Sequence, residues 1–354
     1  MKTSVRILAL ASVVVLAWVA PAAPAGAISH RHTPRVVAAG LDNPRGLAWG
    51  PGGVLLVAES GRGGSGPCFP GVFTAEDMCF GRTGAVTAIP RHGRQHRTLT
   101  GLPSIAEQGT GAFAFGPSDV SAGGTGLYLS IGGPGPQLDR SVFGSRAAKL
   151  LGTVQRLGRH GWDTVADLAA FERANDPDAQ LHESNTTSVL STARGTFAID
   201  AAGNTLFAVR PHHTPRLLAT FTNRTAGDIE YQSVPTALAD GPDGAVYVAD
   251  LTGAPFPAGQ SRVWRWTPKG LSVFADGFTS AVDLAFGPDG SLYVLEVFPG
   301  DVVRVRPDGT RSTAVPPDAG LSFPTGLAVG QDGSVYVSNC GNCAGTGTVM
   351  KFGG

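Results

Sequence analysis

Charge is scarce in this chain, and neither sign is in excess. Lysine and arginine number 27, aspartate and glutamate 27, and charged residues make up 15% of the 354. A surface this near neutral gives no electrostatic case for nucleic acid, whose binding rests on neutralised phosphates. Beyond the N-terminal segment no run is apolar enough to read as a membrane span. Cysteine is also sparse, with four in all. Several motifs of hydrolytic, nucleotide and calcium chemistry are missing: no P-loop, H-E-x-x-H, G-x-S-x-G or EF-hand loop is present. One short basic run, Arg91 to Arg97 with His92 and His96 inside it, falls at a turn and reads as a solvated loop.

What is present begins with an export signal. Lys2 and Arg6 precede an apolar stretch from Ile7 to Ala20, and small residues end in Ala25-Gly26-Ala27. That order predicts a signal peptide over residues 1–27, cleaved after Ala27, and a secreted chain. Cleavage would expose Ile28-Ser29-His30, a candidate square-planar Cu(II) or Ni(II) site through amine, amides and imidazole. An exported chain is expected to oxidise its cysteines. Of three connectivities, the local one, Cys68–Cys79 with Cys340–Cys343, is simplest. Cys340-Gly-Asn-Cys343 matches C-x-x-C but lacks the βαβ setting of a redox site.

The 50 glycines and 26 prolines fall at regular turns, as many short strands would require. One unit recurs: an apolar strand, a glycine-rich turn and a second alternating strand. The clearest copies are Pro235–Asp250, Ala281–Glu296 and Pro324–Asn339. Earlier copies are Pro44–Glu59, the divergent Pro117–Ile131 and the weak Asn185–Asp200. The later intervals match four-stranded blades of about 40–50 residues. A third strand follows each copy, as in Arg262–Trp266, and often a fourth. The last copy has no fourth strand after Phe352, whereas an unmatched strand, Arg35–Ala39, precedes the first. The expected fold is all-β: a single six-bladed β-propeller over residues 28–354, its ring closed by the N-terminal strand. Thr164–Asn175 is expected as a short decorating helix.

The two faces of such a ring differ. One carries tight turns such as Gly241-Pro242-Asp243-Gly244 and Gly287-Pro288-Asp289-Gly290. The other carries the insertions 60–82, 132–151, 251–261 and 340–347, and long loops on a rigid scaffold are where function concentrates. The strand ends Glu59, Asp200, Asp250, Glu296 and Asn339 are expected on this second face. So are the inner-strand entries Asn43, Arg45, Asp119, Asn185, Asp283 and Thr325. Their oxygens suit a divalent cation such as Ca²⁺ or Mg²⁺, and converging carboxylates can activate water. The plainer alternative is that these side chains cap loops, bond backbone amides and pair with Arg45. Gly61-Arg62-Gly63-Gly64-Ser65-Gly66 matches G-x-G-x-x-G without the following helix and reads as a flexible loop. His182-Glu183 and His212-His213 lack partners at useful spacing. Asn185-Thr186-Thr187 and Asn223-Arg224-Thr225 are glycosylation sequons.

The sequence resembles the ScyD/ScyE family of secreted bacterial propellers. The residues that carry the resemblance are Gly40–Ala48, Glu59–Cys68, Val165–Glu172, Gln232–Thr236 and Leu251–Pro257. More loosely, the G-P-D-G repeat is similar to NHL-type repeats. The resemblance implies a six-bladed ring and export, and brings no catalytic set. It leaves two readings. One is a monomeric module that binds a small molecule or protein through the loop-rich face, touching neither nucleic acid nor membrane. The other is a metal-dependent hydrolase of the lactonase or strictosidine-synthase kind, acting at the pore mouth. A quinone-dependent dehydrogenase lacks a basic cluster for the cofactor's carboxylates.

Overall fold

The computed structural model describes residues 34–71, 75–123, 126–133, 135, 139–158 and 161–353. The leader 1–27 and the Ile28-Ser29-His30 candidate lie outside the described residues. Six antiparallel sheets of four or five strands succeed one another along the chain. The inner strands are Pro44–Trp49, Pro117–Gly123, Thr186–Thr192, Pro235–Asp240, Ala281–Phe286 and Gly326–Val329. Each packs against the next, and the sixth packs against the first, so the sheets form the blades of a closed β-propeller. Closure is made by Arg35–Leu41, which pairs with Gly347–Phe352 so that Arg35 faces Lys351. The chain therefore leaves no unpaired edge on the sixth blade's third strand, which would otherwise be a template for aggregation.

Strand periodicity explains why these segments read as almost continuous apolar runs. Successive side chains point to opposite faces of a strand, and in a propeller both faces of a blade are covered by neighbours. In the fifth blade Leu292 and Val294 pack toward blade four, whereas Tyr293 and Leu295 pack toward blade six. The same division recurs round the ring, giving a core cluster at each junction between adjacent blades. Val294, Leu295 and Val248 are wholly buried, and each such side chain contributes about 1.5–3 kcal/mol by leaving water.

The short-turn face also follows from chemistry. Gly244, Gly290 and Gly333 have φ of 79°, 77° and 78°, a region open to glycine at no steric cost. The turn aspartates reach across to basic residues of the third strand, Asp243 to Arg265 at 2.6 Å and Asp332 to Lys351 at 3.3 Å. Asp289 does the same with Arg304.

Three expectations change. Residues 164–167 are not helical: Gly161–Asp167 is the second blade's fourth strand, where Thr164 pairs with Gln155. The helix is Leu168–Asn175, started by Asp167, whose side chain accepts from the Ala170 amide at 3.0 Å. The glycine-rich 61–66 segment is not a free loop. A β-carbon on Gly63 would stand 2.5 Å from the Cys79 carbonyl, and one on Gly66 2.7 Å from that of Phe80. Glycine is needed there because two backbones touch. Arg97 leaves the solvated basic run to pair with Glu59 at 2.7 Å and Asp42 at 3.0 Å.

Both local disulfides are formed, Cys68–Cys79 and Cys340–Cys343. Among the described residues no helix is long and apolar enough to cross a membrane.

Candidate functional site

The inner strands of the six blades surround a central channel. It holds a cavity of about 220 Å³ walled by inner-strand residues, among them Leu47, Asp119, Ser121, Leu238, Asp283 and Leu327. The inner strands of blades one to five each carry a β-bulge at their start, for example between Pro117 and Asp119 and between Ala281 and Asp283. A bulge re-aims the residue that follows it. Asp119 and Asp283 occupy the same position in blades two and five, opposite each other in the ring. Each carboxylate bridges to the next blade. Asp119 Oδ2 accepts from the Val189 amide at 3.1 Å and the Ser188 hydroxyl at 2.7 Å. Asp283 Oδ2 accepts from the Leu327 amide at 2.6 Å.

Burial in the channel wall pushes the Asp119 carboxyl up to about 6. Burial, reinforced by the charge of Asp119, also raises Asp283 well above the usual carboxylate range. Two acids that see one another in low dielectric resist being charged together. They are the members of the expected ring that the structure brings together in the channel.

The strand-end residues do something else, and they do it by one rule. Glu59 Oε2 accepts from the Asp42 amide at 2.7 Å, and Asp200 Oδ1 from that of Asn185 at 2.7 Å. Asp250 Oδ1 accepts from Val234 at 3.2 Å, and Asn339 Oδ1 from Ser322 at 2.7 Å. Glu296 accepts from Thr279. In each case the end of the second strand fastens the segment entering its own inner strand. Blade two has Ile131 at this place.

These carboxylates are used up by the fold. Glu59 also takes Thr87 at 2.6 Å and Arg97, while Asp250 also takes Arg224 and Trp264, each at 2.8 Å. Burial, with the neighbouring Asp301 adding to the rise, pushes Glu296 up to about 7.

The remaining entry residues stitch blades and loops. Arg45 donates to Ser60 at 3.2 Å and to the Ala114 carbonyl at 3.1 Å. Burial lowers its pKa to about 10, and its described bonds reach no carboxylate. Thr325 donates to the Pro44 carbonyl at 2.7 Å, closing blade six onto blade one. Asn43 donates at 2.7 Å to both Gly61 and Gly111.

Two features were not singled out from sequence. The first is a run of phenylalanines on the loop-rich face. Phe113, Phe256, Phe298 and Phe323 are 40%, 42%, 51% and 39% exposed. Three of them, Phe113, Phe256 and Phe323, have φ of 49°, 59° and 47°. A bulky side chain in the left-handed region is a strained arrangement that clusters at functional sites.

Phe256 and Phe298 meet edge to face at 5.2 Å across blades four and five. The Phe323 carbonyl accepts from Gly341 at 3.0 Å, and a β-carbon on Gly111 would stand 3.1 Å from Ala344. A β-carbon on Gly300 would stand 3.1 Å from the Leu321 carbonyl, so the loops bearing these rings adjoin one another from blade four round to blade one.

The second feature is a group of possible metal ligands, Glu172, Asp176 and His182, set over blade three. Burial, then the charges of Asp200, Asp178 and Asp176, push the Glu172 carboxyl up to about 8. His182, without partners at useful spacing in the sequence, meets Glu172 and Asp176 in space. Glu172 lies in the last turn of the helix Leu168–Asn175, and Asp176 caps its C-terminus.

No family model and no curated protein matches the chain. Several solved structures match it in shape. A Bacteroides thetaiotaomicron protein of unknown function superposes with a TM-score of 0.57, at 11% identity, over 90% of this chain and 75% of that one. The α-L-arabinanase of Penicillium chrysogenum, complexed with arabinobiose, gives 0.53 at 12% identity over 91% and 98%. A streptogramin B lyase gives 0.51 at 11% identity over 92% and 99%. At such identities the likeness is one of fold, and the fold that the chain shares with them is the β-propeller.

Proposed function

We propose that this chain is an exported binding module, akin to the ScyD/ScyE proteins its sequence resembles, that grips an apolar or aromatic partner across the loop-rich face. The partner is a small molecule or a protein segment, and the working unit is a monomer. The observation that carries this reading is the set of exposed phenylalanines, three of them held in left-handed backbone. Each such conformation costs on the order of 1–3 kcal/mol. Export is supported by the leader-like residues 1–27 and by the two disulfides.

The test uses the chain from residue 28 and the amphipathic dye 1-anilinonaphthalene-8-sulfonate. Saturable binding is expected, with its loss in Phe256→Ser/Phe298→Ser at an unchanged melting temperature. Dye binding that is absent, or equal in the variant, defeats the reading. Asp119 and Asp283 favour the second reading, a metal-dependent hydrolase at the pore mouth. That reading displaces the first if metal-loaded protein turns over lactones or esters and Asp283→Asn abolishes turnover.

A further inference from the structure

The helix Leu168–Asn175 ends where Asp176 turns into the left-handed region at φ 43°. Glu172 lies one turn back and is 1% exposed, yet among the described residues neither of its carboxylate oxygens has a hydrogen-bond partner. Asp176 Oδ1 is likewise buried and unpartnered among the described residues. The chain then returns at His182. One ligand atom each from Glu172, Asp176 and His182 all lie within 4.8 Å of one another. The His182 imidazole stands 3.6 Å from Asp176.

Negative charge gathers round this point. Gly203 closes over Glu172 so tightly that a β-carbon there would stand 2.8 Å from Oε2 and 3.4 Å from the Asp200 carboxyl. Asp178 adjoins through its 2.9 Å bond from Asn204. Among the described residues, no lysine or arginine forms an ion pair with Glu172, Asp176, Asp178 or Asp200. The helix C-terminus adds its own partial negative charge.

A buried carboxylate without a donor is stable only if it is neutralised or coordinated. Protonation would satisfy the charge of Glu172 but would leave its second oxygen and Asp176 Oδ1 competing for a single proton. A cation satisfies all of them together. His182 is exposed, which gives an ion a way in from solvent. The donor set mixes carboxylate oxygen with imidazole nitrogen. That mixture suits Mn²⁺ or Zn²⁺, whereas Ca²⁺ takes oxygen alone.

We propose that Glu172, Asp176 and His182 bind one divalent transition-metal ion, and that this ion fastens the end of the helix Leu168–Asn175 to the return of the chain at His182. The site is separate from the channel and from the phenylalanines, so it does not depend on how those are used.

The experiment takes the untagged chain from residue 28, stripped with chelator. It is titrated calorimetrically with MnCl₂, ZnCl₂ and CaCl₂ in turn, and melting is followed alongside. One Mn²⁺ or Zn²⁺ per chain is expected, with a rise in melting temperature. Glu172→Gln and His182→Ala should each weaken binding about tenfold or more and erase that rise. Phe256→Ser/Phe298→Ser should bind metal as the parent does, which separates this site from the loop-face reading. Should Glu172→Gln fail to fold, Asp176→Asn replaces it. Pulsed electron paramagnetic resonance of the Mn²⁺ form then looks for nitrogen coupling that vanishes in His182→Ala. The proposal is overturned if no stoichiometric ion binds, if binding survives Glu172→Gln or Asp176→Asn, or if Ca²⁺ is preferred and His182→Ala changes nothing.

Discussion

Asp250 and Glu172 are both acids sunk out of solvent, at 0% and 1% exposure, and they could hardly be treated more differently. Asp250 accepts from Arg224, Trp264, Ser233, Val234 and Thr252. Glu172 accepts from nothing among the described residues. Burial alone therefore does not say what a carboxylate is for. One met by donors is part of the frame, since each donor offsets a share of its lost hydration. One met by further oxygens calls for a cation.

The contrast can be strained hardest at Asp250. Asp250→Ala leaves the Arg224 guanidinium and the Trp264 indole N–H without their acceptor, and breaking a buried pair from one side costs about 3–5 kcal/mol. Urea unfolding should show a loss of that size; a loss below 1 kcal/mol (roughly the value of a single neutral hydrogen bond) would remove Asp250 from the frame.

Asn339 holds the same place in blade six with one described bond, to Ser322. Asn339→Ala should cost about 1 kcal/mol, and Asn339→Asp should cost less, because the carboxylate keeps the acceptor. If the two variants unfold alike, the bond to Ser322 carries no stability.

The effect at Glu296 is instead spread over a range of pH. Burial, with Asp301 adding to it, lifts its pKa from 4.5 to about 7. An acid that holds its proton more tightly folded than unfolded stabilises at low pH and loses that contribution as pH rises. From about pH 4.5 to about pH 7, this group should therefore lower stability steadily. Glu296→Gln should flatten that part of the stability–pH curve, by at most a single proton in slope. An unaltered slope would contradict the assigned shift.

The ring was legible from sequence because strand, glycine turn and strand recur with a blade's period, and because one unmatched strand was left for closure. Both disulfides followed from their local spacing. Less legible was where side chains point. Glu59, Asp200, Asp250, Glu296 and Asn339 were seen as a set, correctly placed at strand ends. The partner they have in common, however, is a backbone amide lying 15 to 17 residues upstream, and an amide carries no letter in the sequence. Which inner-strand residue faces the channel depends on bulges that shift the register, and the apolar pattern does not mark them. The Glu172 group was invisible for another reason: it lies outside the repeat, where the helix and the return of the chain to His182 have no copy elsewhere to compare.

The most direct test compares the two acids in one experiment. Asp250→Asn and Glu172→Gln are melted beside the parent chain in excess ethylenediaminetetraacetate, so that no ion can contribute. Asp250→Asn should melt clearly lower, because its donors lose a charged acceptor. Glu172→Gln should melt at or above the parent, because it removes a buried acid that has no donor. Equal falls in both variants would mean that partnered and unpartnered carboxylates serve the fold alike, which contradicts the account.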